Sequence, residues 1–230
     1  MGIVDLIRFL KPVTRNIHIS ELSNQTAAID MMTWLYKGVY SCAVELGKNE
    51  NTDQFLNFPL KMLSLLTANK IKPIAVFDGH SFKPKAEAEE VRRLNKEKNL
   101  EIAKKSLEEG DEENAKKFFK MALNVTAKMI NTLIEILKKL KIKIVVAPYE
   151  ADAQLAHLCI NGDADFAISE DSDLILFGAQ RICYKLNQEG EGVILDLKKF
   201  RETPKEEILD PFCKSLRKIF DINFFRKVKT

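Results

Sequence analysis

Acidic residues recur at the ends of four short apolar runs in this chain, and this pattern restricts its fold more than any other feature. Stretches with helical periodicity separate the runs, so the pattern predicts buried strands alternating with helices in an α/β fold. In such folds the carboxyl ends of parallel strands lie along one edge of the sheet, where ligands bind. The acids at the ends of the runs are Asp30, Asp78, the pair Glu150 and Asp152, and the pair Asp171 and Asp173.

These six carboxylates predict a metal site at that edge. Carboxylates that share one site repel each other unless a divalent cation lies among them, and hard cations such as Mg²⁺ take oxygen ligands. Asp30 also has a simpler interpretation, as the N-cap of a helix predicted from Met31 to Leu46. The spacing alone does not distinguish a nuclease from a phosphatase, although Asp30-Met31-Met32 does not fit the nucleophile strand of a haloacid-type hydrolase.

Residues 83–141 differ from the rest of the chain, because charged residues dominate there and no apolar strand occurs. Helical periodicity predicts one helix over 86–107 and a second stretch over 112–140, broken near Asn124. A run of charges is usually a solvated surface, so the simplest interpretation of this segment is an exposed helical hairpin.

A second interpretation of the same segment follows from its first basic residues. Lys85 and Arg92 are seven positions apart, which places them on one helix face, and they follow closely on Asp78 in the sequence. A basic helix face beside an acidic strand end would hold a phosphate over a metal site.

The composition excludes several classes of protein. The 46% hydrophobic content is that of a globular protein with a substantial core, and the net charge of +3 identifies no partner. No apolar run approaches 18 residues, which argues against a membrane span, and the N-terminus lacks the features of a signal peptide. The four cysteines lie far apart without a CxxC pair, so we expect a reducing compartment rather than a zinc site.

The acidic stretches also carry recognisable motifs. These are Gly2-Ile3, Ile29-Asp30, Val76-Phe77-Asp78-Gly79, Ala147-Pro148-Tyr149-Glu150-Ala151-Asp152-Ala153-Gln154 and Ser169-Glu170-Asp171-Ser172-Asp173. Together they resemble the flap endonuclease/XPG family of structure-specific 5′ nucleases. A further set is similar to the eukaryotic exonuclease branch of that family: Trp34-Leu35-Tyr36-Lys37-Gly38, Ile71-Lys72-Pro73 and Ile168 through Leu174.

The resemblance implies a PIN-like α/β fold with a central, mostly parallel sheet, flanking helices and an inserted helical gateway or cap. The core would comprise residues 1–82 and 142–200, and the gateway residues 83–141. The remaining segment, 201–230, matches none of the family's motifs.

The resemblance also implies roles for individual residues. One Mg²⁺ would be held by Asp30, Asp78, Glu150 and Asp152, and a second by Asp171 and Asp173, in part through water, with Mn²⁺ able to substitute. Lys85 and Arg92 would contact the scissile phosphate. The other DNA contacts would come from Gly2, Tyr36, Lys37 and Arg93, with Tyr36 placed against the end of the duplex.

The implied activity is that of a 5′→3′ exonuclease and 5′ flap endonuclease in DNA repair. Its partners would be DNA with 5′ ends, nicks, gaps or flaps, together with repair proteins. We expect a nuclear monomer with no membrane association.

The chain also departs from the family pattern. We find neither the further Asp of a Gly-Cys-Asp-Tyr-like stretch nor the helix–two-turn–helix element that grips duplex DNA. The departure leaves a second hypothesis open, in which the protein is a catalytically impaired relative that binds DNA ends or a repair partner.

Overall fold

A mixed β-sheet forms the centre of the computed structural model, which describes residues 14–79 and 86–197. The strands are β1 (Thr14–His18), β2 (Thr26–Asp30), β3 (Lys72–Phe77), β4 (Lys143–Val146), β5 (Phe166–Ile168), β6 (Arg181–Tyr184) and β7 (Glu191–Asp196). Their order across the sheet is β1-β7-β6-β5-β2-β3-β4. Neighbours from β6 to β4 pair in parallel, whereas β7 pairs antiparallel with both β6 and β1. The predicted α/β fold with a mostly parallel sheet is therefore confirmed.

Helices cover both faces of this sheet. They are α1 (Met31–Ser41), α2 (Ala43–Gly47), α3 (Asn57–Ala68), α4 (Ala86–Glu108), α5 (Glu112–Ala122), α6 (Ala127–Lys139) and α7 (Ala151–Ile160), with 3₁₀ turns at Ile19–Leu22, Gln54–Leu56 and Ser172–Ile175. Because side chains alternate along a strand, Ile29 packs on one face with residues of α1, α3 and α6. Ala28 packs on the other face with residues of α7.

Local sequence signals account for some of the helix boundaries. Thr126 caps α6 by accepting a hydrogen bond from the Met129 N–H at 3.3 Å, and Lys138 and Lys139 lie in its last turn. The break predicted near Asn124 is confirmed, since α5 and α6 are separate helices. The single helix predicted from Met31 to Leu46 is wrong in detail, because the chain divides into α1 and α2 at Cys42.

The segment between β3 and β4 contains α4, α5 and α6. α6 packs on the main core through Leu133 and Leu137. The hairpin of α4 and α5 has a small apolar cluster of its own, in which Phe119 packs against Gly47 of α2. This insertion therefore begins beside the carboxyl end of β3 and returns through β4 to the opposite end of the sheet.

Several features expected from the sequence lie outside the described residues. These are Gly2, Lys85 and the segment 201–230. No helix in the described part of the chain is long and apolar enough to cross a membrane.

Candidate metal centre

Asp30 is the last residue of β2 and the N-cap of α1. Its carboxylate accepts hydrogen bonds from the Thr33 N–H at 3.1 Å and from the Thr33 hydroxyl at 2.5 Å. The residue is 8% exposed. Burial raises the pKa of Asp30 and the nearby Asp78 raises it further, although the Thr33 hydrogen bonds oppose the shift. Asp30 therefore caps α1, as its simpler interpretation predicts, and also lies within electrostatic range of a second strand-end acid.

Asp78 ties the end of β3 to the start of α7. Its carboxylate accepts a hydrogen bond of 2.7 Å from the N–H of Ala151, the first residue of that helix. The next residue, Gly79, donates its N–H to the Tyr149 carbonyl at 2.7 Å. These two bonds place the loop that carries Asp78 against the turn that carries Glu150.

Asp152 lies in the first turn of α7 and is half-buried. Burial is the largest cause of its raised pKa, which is about 7, and four carboxylates add to the shift. In decreasing order of influence these are Asp30, Asp171, Asp78 and Glu150. The carboxyl edge of the sheet therefore brings at least five of the six predicted acids into one electrostatic environment.

Asp171 and Asp173 follow β5 in a tight local structure. The Asp171 carboxylate caps the 3₁₀ turn Ser172–Ile175 by accepting the Asp173 N–H at 2.9 Å. The Asp171 N–H in turn donates to the hydroxyl of Ser169, which is 4% exposed, at 3.1 Å. Backbone hydrogen bonds thus fix where this acid pair leaves the sheet.

The arrangement of the carboxylates suits a hard cation that keeps part of its hydration shell better than one coordinated by protein side chains alone. Within residues 14–79 and 86–197, no three His, Cys, Asp or Glu side chains are gathered closely enough to hold a metal ion directly. Three of the acids instead accept backbone N–H groups, as described above for Asp30, Asp78 and Asp171. Mg²⁺ usually keeps several waters and binds through only one or two carboxylates, so oxygen ligands dispersed along one edge of the sheet are compatible with it.

The raised pKa of Asp152 predicts a pH-dependent stability in protein stripped of metal. A carboxyl whose pKa rises on folding binds its proton more tightly in the folded state, so stability falls as pH rises from the ordinary value of 3.8 towards about 7. Asp152→Asn keeps the shape and removes the charge. In the presence of a chelator, we expect this variant to melt at least about 2 °C above the wild type at pH 8. The gap should close as the pH approaches 4.

Asp163→Asn is the matched control for this melting experiment. Asp163 is an exposed acid that precedes β5, at the opposite edge of the sheet. Its variant should show no pH-dependent gap, and an equal gap for Asp152→Asn at every pH would contradict the prediction.

The two residues of α1 predicted to contact DNA both lie beside this edge. Tyr36 is half-buried, with its ring centroid 6.0 Å from that of Tyr40. Burial raises the pKa of the Tyr36 phenol, and Asp78 contributes to the shift. Lys37 pairs with Glu170 at 2.7 Å and lies 5.5 Å from the centre of the Phe58 ring. Sequence reasoning did not predict the Lys37–Glu170 pair, although Glu170 directly precedes Asp171 in the same motif.

The basic residues predicted at the gateway are described only in part. Arg92 belongs to α4, but its side chain lies outside the description. Arg93 is exposed and forms an ion pair of 2.5 Å with Glu97 one turn later. The roles predicted for Lys85, Arg92 and Arg93 therefore stay predictions.

Two further side chains approach the acids without having been predicted. Thr33 holds the Asp30 carboxylate, as described above. Tyr184 ends β6, and three of the acids influence its hydroxyl. The sequence signal that could have indicated Tyr184 is its position at the end of a strand. That position points to the acidic edge only once β6 is known to run parallel to β5.

Comparison with protein families gives two matches along the chain. The XPG N-terminal domain matches residues 1–99, and the XPG I-region matches residues 141–221. The first match extends into α4, the second begins after α6, and together they contain all six predicted acids. The second match continues to residue 221, further than the motifs quoted from the sequence.

Curated relatives agree with these family matches. Exonuclease 1 of Xenopus laevis is 36% identical over 226 residues, which is 98% of this chain and 29% of that protein. Exonuclease 1 of Danio rerio is 37% identical over the same 98% of this chain and 27% of its own length. The chain thus spans less than a third of the length of these relatives.

Solved structures share the fold. The catalytic core of Rad2 in complex with a DNA substrate has a TM-score of 0.62 at 22% identity, covering 90% of this chain and 59% of that one. Flap endonuclease-1 from Methanococcus jannaschii has a TM-score of 0.55 at 27% identity, over 82% of this chain and 63% of that one. The junction-resolving enzyme GEN1 with product DNA and Mg²⁺ has a TM-score of 0.54 at 21% identity, over 88% and 42%. The predicted PIN-like architecture is thereby confirmed.

Proposed function

Because this chain belongs to the XPG family, we propose that it is a metal-dependent, structure-specific DNA nuclease that hydrolyses phosphodiester bonds at 5′ ends and 5′ flaps. The observation that carries the proposal is the gathering of strand-end acids at one edge of the sheet, where burial and the charges of Asp30, Asp171, Asp78 and Glu150 raise the pKa of Asp152 to about 7. An acidic edge of this kind is unfavourable in isolation and becomes favourable when divalent cations neutralise it.

The proposed metal ligands are the six strand-end carboxylates. Asp30, Asp78, Glu150 and Asp152 would hold one Mg²⁺, and Asp171 with Asp173 a second, partly through water, with Mn²⁺ able to substitute. Bound there, a pair of such cations supplies an activated water and stabilises the leaving oxygen.

The protein's own contacts would position these ligands. Thr33 restrains Asp30 through two hydrogen bonds, and the Ala151 N–H restrains Asp78. The Asp173 N–H restrains Asp171 in the same way. These three acids therefore start from defined orientations set by the protein's own contacts.

DNA would approach across α1 and the insertion. Tyr36 would meet the duplex end, and Lys37 would exchange Glu170, its partner at 2.7 Å, for a phosphate. Such an exchange costs little, because an ion pair this exposed contributes at most about 1 kcal/mol. Lys85 and Arg92 would contact the scissile phosphate, with Gly2 and Arg93 as further DNA contacts.

We further propose the organisation and setting that the family resemblance implies. Residues 1–82 and 142–200 would form the nuclease core, 83–141 the gateway for the 5′ strand and 201–230 a divergent tail. The substrates would be DNA 5′ ends, nicks, gaps and flaps, met in the nucleus during repair by a monomer that also binds repair proteins.

A cleavage assay tests the activity. Duplexes labelled internally and carrying either a recessed 5′ end or a 5′ flap are incubated with the protein and Mg²⁺, with chelator replacing Mg²⁺ in a parallel reaction. We expect shortening from the 5′ end and release of the flap only with Mg²⁺, and no attack on a substrate whose 5′ ends are blocked. Intact substrate in every reaction would contradict the proposal.

A second candidate function is a binding module for DNA ends or a repair partner. The observation in its favour is that no three metal-binding side chains converge among the described residues, while several of the acids already accept backbone N–H groups. Calorimetric titration with Mn²⁺ separates the two functions. Binding at the acidic edge supports the nuclease, and its absence together with retained DNA binding supports the module.

A further inference from the structure

Tyr184 occupies a position at the acidic edge that none of the predicted roles explains. It is the last residue of β6, which runs parallel to β5 with Cys183 opposite Ile168. It belongs to the buried apolar cluster that β6 shares with α7, which also contains Ala151 and Leu155. The strand direction therefore places the end of the Tyr184 side chain near the N-terminus of α7 and the residues that follow β5.

The hydroxyl of Tyr184 is buried without a hydrogen bond from the described part of the chain to compensate for its burial. The residue is 1% exposed, and its Oη has no hydrogen-bond partner among the described residues. Buried hydroxyls are nearly always hydrogen-bonded, so an exception calls for an explanation. A phenylalanine would fill the same apolar space, so packing alone does not explain the presence of a hydroxyl at this position.

Three carboxylates of the candidate metal centre influence this hydroxyl. Burial is the main cause of its raised pKa, and Asp171, Asp152 and Asp173 add to the shift in that order. The phenol therefore stays protonated at neutral pH and acts as a hydrogen-bond donor. Asp171 has the largest influence of the three, and it is also the acid that follows the neighbouring strand.

We propose that Tyr184 is a positioning residue of the metal centre, whose hydroxyl donates a hydrogen bond to the Asp171 carboxylate when a divalent cation is bound. The inference rests on the proposed function. One oxygen of Asp171 would face the cation while Tyr184 holds the other. Carboxylates that ligate metals are commonly held by such neighbours, and loss of one typically weakens metal affinity roughly 10- to 100-fold.

Metal affinity, rather than cleavage, tests this role. Mn²⁺ is titrated calorimetrically into the wild type, Tyr184→Phe and the matched control Tyr40→Phe, which removes the same atom from an exposed tyrosine on α1. We expect Tyr184→Phe to bind Mn²⁺ about 10-fold more weakly, and Tyr40→Phe to bind as the wild type does.

Melting temperatures distinguish a loss of metal binding from a loss of folding. Without metal, Tyr184→Phe should melt no lower than the wild type, since the hydroxyl has no partner in the described structure, but saturating Mn²⁺ should raise its Tm less. If the wild type binds Mn²⁺ and Tyr184→Phe binds it with the same affinity, the role of Tyr184 is overturned. The proposed metal-dependent nuclease is not affected by that result. A wild type that binds no Mn²⁺ would overturn this inference and the metal-dependent nuclease together.

Discussion

Asp173→Ala should lower the rate of 5′ cleavage by at least about 100-fold while DNA binding persists. Losing a ligand of a catalytic cation removes several kcal/mol of transition-state stabilisation, and each 1.4 kcal/mol corresponds to about a tenfold change in rate. Alanine keeps the backbone N–H that donates to Asp171 at 2.9 Å, so the local turn should survive. Single-turnover cleavage of a 5′-flap duplex measures the rate, and fluorescence anisotropy measures binding.

The control for this experiment is Asp163→Ala, which removes the same charge at the opposite edge of the sheet. Its cleavage rate should stay within about twofold of the wild type, as expected for a surface substitution. Equal cleavage by Asp173→Ala and the wild type would remove Asp173 from the proposed metal ligands. A parallel loss of DNA binding would instead identify a structural role.

Gly79→Ala should be the most damaging single-methyl substitution at the candidate centre. A Cβ at this position would lie 1.8 Å from the Ala147 carbonyl oxygen and 2.9 Å from that of Pro148. These atoms are backbone and cannot move aside easily, so we expect a loss of roughly 3 kcal/mol in the free energy of unfolding. For a chain of this size that corresponds to a drop of about 6–12 °C in Tm.

The same substitution should also reduce cleavage in protein that is still folded. It pushes the loop carrying Asp78 away from the turn that precedes α7, and so separates two groups of proposed ligands. Gly110→Ala provides the comparison, because its positive φ of 78° makes alanine strained while its Cβ would contact nothing within 4 Å. We expect Gly110→Ala to lower Tm without affecting cleavage below its melting range. Unchanged Tm and activity in Gly79→Ala would contradict the described packing.

The acids themselves could be predicted because each one follows a local signal. An apolar strand that ends in a carboxylate is visible in consecutive residues, and the α/β alternation then places the strand ends along one edge. The caps are equally local: Asp30 with Thr33 and Asp111 with Asn114 both span three residues. These features need no knowledge of tertiary contacts.

The contacts between distant segments could not be predicted in the same way. Asp78 and Ala151 are 73 positions apart, and Lys37 and Glu170 are 133 apart. Neither pair leaves a periodic signal in the sequence. Tyr184 was missed for a related reason, since its place at the acidic edge follows from the pairing of β6 with β5 and not from any local pattern. In the structure β6 pairs antiparallel with β7 and parallel with β5, and the parallel pairing brings the tyrosine to the acidic edge.

The position of β2 between β3 and β5 has a consequence for how the protein emerges from the ribosome. Its residue Ala28 pairs with Ile74 on one side and with Ala167 on the other, so one side of β2 lacks its partner strand until residues near 167 have been synthesised. An unpaired strand edge invites pairing with other chains, and nascent chains are vulnerable during that interval. The same late strand also leads directly into Asp171 and Asp173. Pairing of the second side of β2 and assembly of the acidic edge therefore both wait for β5, and a nascent chain that stops within the helical insertion has neither.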